Sequence, residues 1–256
     1  MEVHKHSQNL MHKKHWFEYL LEFFMLFLAV FLGFVTENIR EKAFEKKNER
    51  AYIKLFIEDL QTDTAILHNV IPKTRQTVRG LDTLIDQVYL YLQGKADSRL
   101  MYYTYHYYCR NPINIQLSKR ALTQMRSAGA MKLIHDKQAA ELIAGGDIGF
   151  DQFEEQTRFI KERQEEPAQF GFKIFDFREY QKANIDPNGT TNQNDDGFLK
   201  LSYQPPLNTS DPAYLKEFAA RVGYFRNSLN GYVITMGEAI PGLESAIAYL
   251  KKHYNY

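Results

Sequence analysis

Cysteine and tryptophan are nearly missing from this chain: Cys109 and Trp16 stand alone among 256 residues. A single thiol excludes an intramolecular disulfide framework, and with it the small stapled folds that depend on one. Cys109 therefore reads as a small buried hydrophobe. An excess of one charge is missing too. With 32 Lys and Arg against 31 Asp and Glu, no global field draws the chain to nucleic acid, and no nucleic-acid partner is expected.

Signatures of catalysis are absent as well. No Gly-rich phosphate loop carries a following Lys and Ser or Thr; AGGDIG, at 144–149, lacks the lysine and the preceding strand. There is no G-x-S-x-G elbow. Half of the histidines, His4, His6, His12 and His15, crowd a lysine-bearing tail without the carboxylate or cysteine company that a rigid metal site needs. His68, His106 and His135 fall on separate predicted helices. In NIDPNGTTNQNDDG, at 184–197, placing Asn192, Asn194 and Asp196 at calcium-loop positions 1, 3 and 5 puts Tyr203 where an EF-hand needs a bidentate Glu. The segment reads instead as a mobile polar loop. No catalytic residue, metal or cofactor is expected, and the chain is not read as an enzyme.

What the sequence does contain is one long apolar run, Trp16 to Thr36. As a helix rising about 1.5 Å per residue it spans about 30 Å, the thickness of a bilayer's hydrocarbon core. Trp16 and Tyr19 mark one end, where amphipathic rings favour the headgroup level, and ENIREK marks the other. FLGFVTEN offers no small-x-small cleavage site, so the run reads as an uncleaved anchor with the lipid bilayer as its first partner. At about 100° per residue, Glu18, Glu22, Ala29, Gly33 and Thr36 fall within an arc of about 60°, opposite Phe23, Phe24, Phe27, Phe31 and Phe34. Small residues allow close backbone approach and a carboxyl can hydrogen-bond across it. That stripe is the candidate contact with a second membrane helix, in a homo-oligomer or a membrane protein partner.

Beyond the span, ENIREKAFEKKNER at 37–50 pairs opposite charges three residues apart and reads as a solvated helical stalk. Ile53, Ile57, Leu60, Leu67 and Ile71, with Thr64 at the missing step, extend the helix to about Ile71. Pro72 should bend or end it, and a second helix, with Val78, Leu81, Ile85, Val88 and Leu92, closes at Gly94. Five tyrosines between Tyr102 and Tyr108 surround His106; aromatic on all sides, this element belongs between other helices. Short helices follow, one capped by Ser118 and Gly129, the next by Asp136 and stopped at Gly145 and Gly146. A further one carries Phe150, Phe153, Thr157 and Ile160 up to Pro167. FGFKIFDF and GFLKLSY alternate in part and can pair as a small β-hairpin near 170–203. Asp211 and Pro212 open the most regular stripe in the chain, Leu215, Phe218, Val222, Phe225, Leu229, Tyr232 and Met236, which Leu243, Ile247 and Leu250 carry past Pro241.

The expected fold class is all-α: a single transmembrane helix continuing into an elongated antiparallel helical bundle. The expected organisation is a basic tail at 1–15, the membrane helix at 16–36, the stalk at 37–50 and a helical extramembrane domain at 51–256 with a loop at 184–197.

LLEFFMLFLAVFLGFVTENIREK and ERAYIKLFIEDLQTD resemble the opening of a family of uncharacterised single-pass bacterial membrane proteins. Glu22, Asn38, Glu41 and FIEDL occupy the matching positions, and RALTQMRSAGAMKLIHDKQAAELI is similar to a second recurring element of that family. The match covers about a third of the chain; the aromatic segment and the polar loop lie outside it, and Ile39 stands where a tryptophan is common. The resemblance implies an N-terminal anchor with a helical domain in a bacterial inner membrane, and no activity. Function is thus expected to be that of a self-associating, membrane-anchored interaction or signalling protein, a scaffold or sensor. The alternative is an auxiliary subunit of a proton-conducting, stator-like complex that uses Glu22. Lys5, Lys13 and Lys14 before the span are outnumbered by the basic residues after it, which by count favours a cytoplasmic domain. The short tail and the layout of the resembling proteins favour a periplasmic one, and the expectation is placed there.

Overall fold

The computed structural model describes residues 16–111, 113–185 and 196–256. The 1–15 tail and most of the 184–197 loop lie outside the described residues. The chain divides into two units, Met1–Ala51 and Tyr52–Tyr256. The described part of the first is wholly helical.

The all-α expectation holds. The described elements are α1 (Trp16–Leu92), α2 (Ser98–Thr104), a π-helical turn (Tyr105–Arg110), α3 (Arg120–Ser127), α4 (Lys137–Phe170), α5 (Arg178–Lys182) and α6 (Pro212–Tyr254). Helix α1 runs through Pro72, so the expected break is corrected. Proline removes only the bond to the carbonyl four residues back, that of His68. Pro72 and His68 both lie on the exposed side, where water can serve that carbonyl. The helix ends as expected at Gly94, whose φ of +66° places it in a Schellman turn: the Gly94 N–H donates to Tyr91 O at 2.9 Å and the Lys95 N–H to Leu90 O at 2.9 Å.

Within Tyr52–Tyr256, three long helices set the core. Arg226 on α6 pairs with Asp82 on α1 at 2.7 Å and His68 approaches Glu244 at 3.5 Å, so the two run antiparallel. Thr157 on α4 meets Tyr232 at 2.6 Å, while Asp136 before α4 meets Tyr249 at 2.8 Å, which makes α4 antiparallel to α6 as well. Every residue of the predicted α6 stripe from Leu215 to Met236 is buried. Its first half joins Leu67 to Val88 of α1, the aromatic segment and the end of α4 in one core; Leu250 and Tyr254 join Ile53 to Leu60, α3 and the start of α4 in a second.

Two expectations are corrected here. Gly145 and Gly146 do not stop a helix: α4 continues through them and through Pro167. Glycine costs a helix about 1 kcal/mol relative to alanine, and burial of Phe150, Ile160 and Phe170 on the same helix outweighs it. Nor do 170–177 and 197–203 form a hairpin. Gly171–Lys173 and Gly197–Lys200 are 3-10 turns, and the β-bridge joins Phe175 to Leu207. Phe175 and Phe198 are instead drawn inward to flank Tyr102, with ring centroids at 4.9 and 5.0 Å.

Tyr102 and Tyr105 are fully buried, and their hydroxyls are served at the edges of the core. Tyr102 donates to Pro206 O at 2.7 Å and accepts the Asp176 N–H at 2.7 Å, while Tyr105 donates to Ala168 O at 2.6 Å. Cys109 is fully buried beside them, and burial pushes its thiol pKa up. A Cβ on Gly171 would stand 2.3 Å from the Tyr105 ring carbon that bears the hydroxyl. Because Tyr105 cannot yield, Gly171→Ala is expected to destabilise the domain by about 1 to 3 kcal/mol, read as a lowered urea midpoint at unchanged slope.

Candidate functional site

Two carboxylates one helical turn apart on α1, Asp59 and Asp63, are buried in the second unit. They meet the start of α3, a helix without a side-chain cap of its own. Asp59 Oδ2 accepts the Ala121 N–H at 2.7 Å and its Oδ1 accepts the Ser118 hydroxyl at 2.8 Å; Asp63 Oδ1 accepts the Ser118 N–H at 2.7 Å. Ser118 therefore does not cap α3 as expected. Its hydroxyl donates to a neighbouring helix; Asp59, 62 residues earlier, takes the first-turn Ala121 N–H of α3, and Asp63, 55 residues earlier, takes the Ser118 N–H of the segment leading into it. Arg120 adds its charge 3.1 Å from Asp59.

The two acids differ in what remains. Both oxygens of Asp59 are bonded, whereas Asp63 Oδ2 is buried and has no hydrogen-bond partner among the described residues. Burial, reinforced by the adjacent Asp59 charge and opposed by the Ser118 N–H, pushes the Asp63 carboxyl up from 3.8 to about 6. The sequence reading placed Thr64 at the open step of the apolar stripe. Thr64 is half-buried with its hydroxyl donating to Leu60 O at 2.7 Å, and the core position belongs to Asp63. The usable signal was a carboxylate three residues after Leu60 and four before Leu67, at the spacing of a core residue.

The membrane-contact stripe, Glu18, Glu22, Ala29, Gly33 and Thr36, lies along α1 with every member exposed. The Thr36 hydroxyl donates to Leu32 O at 2.8 Å in its own helix. On the opposite side Phe23, Phe27 and Phe31 stack at centroid spacings of 6.4 and 6.1 Å. Stripe and acid pair lie in separate units of the chain.

Among the described residues no three His, Cys, Asp or Glu side chains group as metal ligands. No family model, curated protein or solved structure matches the chain.

Asp59→Ala leaves the Ala121 N–H and the Ser118 hydroxyl without their acceptor, and is expected to cost about 2 to 3 kcal/mol in chemical denaturation. For Asp63 the sign follows from its raised pKa. The folded state holds the proton more tightly than the unfolded chain, so this group's stabilisation is complete below pH 4 and is lost as pH rises through about 6. Asp63→Asn keeps an acceptor for Ser118 and removes the titration. Its stability relative to the parent should therefore rise by about 2 to 3 kcal/mol between pH 4 and pH 7, measured by urea titrations across that range.

Proposed function

We propose that the protein is a single-pass, membrane-anchored helical module that acts by interaction, as a scaffold or sensor, without catalysis. The observation that carries this reading is the exposure of the apolar run. Val30 is 74 % and Phe34 70 % exposed, and none of the strongly apolar window on α1 is covered by the rest of the chain. By length and composition α1 is the one described helix able to cross a membrane. Water-exposed patches on soluble proteins rarely exceed a few hundred Å², and a row of bare Phe, Leu and Val over five turns is far more readily solvated by acyl chains.

The resemblance to single-pass bacterial proteins supports an inner-membrane location, with the helical domain on the periplasmic side. Self-association is assigned to the stripe. Ala29 and Gly33 let two backbones approach, and the Glu22 carboxyl, about 9 Å inside Trp16 along the helix, lies on the same face, from which it can hydrogen-bond across the contact. The stacked phenylalanines then face lipid.

Three measurements test the proposal. The full chain should remain in the membrane pellet after alkaline carbonate washing, and its release would end the anchored reading. A reporter fused after Tyr256 should be active only in its periplasmic form. Cysteines placed along the stripe should cross-link in membranes, several-fold less in Gly33→Ile and Glu22→Leu; equal yields in both variants would show that the stripe is not the contact.

A further inference from the structure

Only part of the tyrosine-rich segment serves the core. Tyr103, Tyr107 and Tyr108 line a cleft of about 390 Å³ against the face of α1 that carries Val70, Thr74 and Thr77, within the size range of small-molecule sites. A regular α-helix would hold Tyr108 about 140° around the axis from Tyr103. The π-helical turn at Tyr105–Arg110 instead brings positions five apart onto one face. The Tyr103 ring accordingly lies 4.7 Å from that of Tyr107 and 6.4 Å from that of Tyr108. Gly80, one turn beyond Thr77, leaves the room in which the Tyr108 ring lies against α1. Turns of this kind are rare and concentrate at functional sites.

The lining selects among ligands. Val70, Ile113 and Ile115 are aliphatic, and every other described residue that lines the cleft carries a hydrogen-bonding group, so a hydrocarbon would desolvate polar groups without serving them. Lys73 is the one charged residue among them; it is exposed and makes no ion pair among the described residues, which disfavours a cation. Lys161 donates to Asn114 Oδ1 at 3.5 Å and brings a second positive charge to that side. Asp196 is felt at Tyr103, but it lies outside the lining and pairs with Lys200 at 2.5 Å. A flat aromatic acid would use the rings and Lys73 and leave the amides of Gln76 and Asn114, each both donor and acceptor, unused. A sugar acid uses all three: its C–H face stacks on tyrosine, its hydroxyls suit the amides, and its carboxylate takes the lysine. We propose that this cleft binds a mono- or disaccharide bearing a carboxylate, its ring against the half-buried Tyr103 and Tyr108, its hydroxyls on Gln76 and Asn114 and its carboxylate on Lys73. The site lies within the second unit and takes its ligand whether or not residues 16–36 cross a bilayer.

The test uses the full chain in phosphatidylcholine nanodiscs, with empty nanodiscs as the blank, and saturation-transfer difference NMR titrations with D-glucuronate, D-galacturonate and digalacturonate. At least one sugar acid should bind saturably at about 5 mM or tighter, and about fivefold or more tighter than the neutral sugar of the same skeleton. Lys73→Gln should bring the acid to the level of the neutral sugar, Gln76→Ala should weaken both about threefold, and Tyr103→Leu should weaken both about tenfold. Absence of saturable binding by all three acids, equal affinity for acid and neutral sugar, tighter binding of 4-hydroxybenzoate than of every sugar acid, or parental affinity in Lys73→Gln would each overturn the proposal. Should Tyr103→Leu fail to fold, Lys73→Gln and Gln76→Ala, at exposed positions of α1, decide the matter.

Discussion

The bond between two buried acids of α1 and the first turn of α3 governs how the second core is built. An eight-residue helix is too short to persist by itself in water. Asp59 accepts its Ala121 N–H and Asp63 the Ser118 N–H just before it, and Ala121, Leu122 and Met125 are buried in one cluster with Ile53 and Phe56. The same contact joins two segments far apart in the sequence. FIEDL supplies Asp59, and RALTQMRSAG supplies the Ala121 N–H. Their separation along the chain gives no hint of this, because a cap supplied by a different helix has no characteristic spacing.

Helix α6 is the element that makes the two cores one domain. Its N-terminal half lies against the later part of α1 and its C-terminal end against the start of that same unit's α1 segment, with Arg226 on Asp82 holding the register. A continuous α1 is a requirement of this arrangement. Were the helix to break at Pro72, Leu67 and Leu81 could not both face α6, and both are essentially inaccessible to solvent.

Legibility in the sequence followed from how local each cause was. The α6 stripe, the Asp211 cap that accepts the Ala213 N–H at 2.8 Å, the Asp136 cap and the Gly94 stop depend on residues within a few positions of one another, and all were readable. The same locality misled at Pro72, Gly145, Gly146 and Pro167, where breaker residues sit inside helices that tertiary burial holds together. Tyrosine-rich segment 102–108 was legible as buried but not as a π-helical turn. Gly80 gives one reason: a Cβ there would lie 2.1 Å from the Tyr108 ring, so α1 and the turn approach at a point specified by a glycine more than twenty residues away. The acid pair within FIEDLQTD carries no signal of a site in the sequence, because carboxylates are abundant and only the fold reveals that these two lack solvent.

The glycines of α4 and α6 separate into two kinds. Gly146 is set by packing, since a Cβ would approach Phe56 at 3.0 Å; Gly145, Gly149 and Gly242 are exposed at the surface, where a Cβ would meet nothing within 4 Å. Each of these three lowers helix stability by about 0.8 to 1 kcal/mol relative to alanine, and no local contact offsets it. The helices persist through them because burial elsewhere along the same helix holds the backbone in place: Phe150, Ile160 and Phe170 on α4, and the stripe from Leu215 to Met236 on α6.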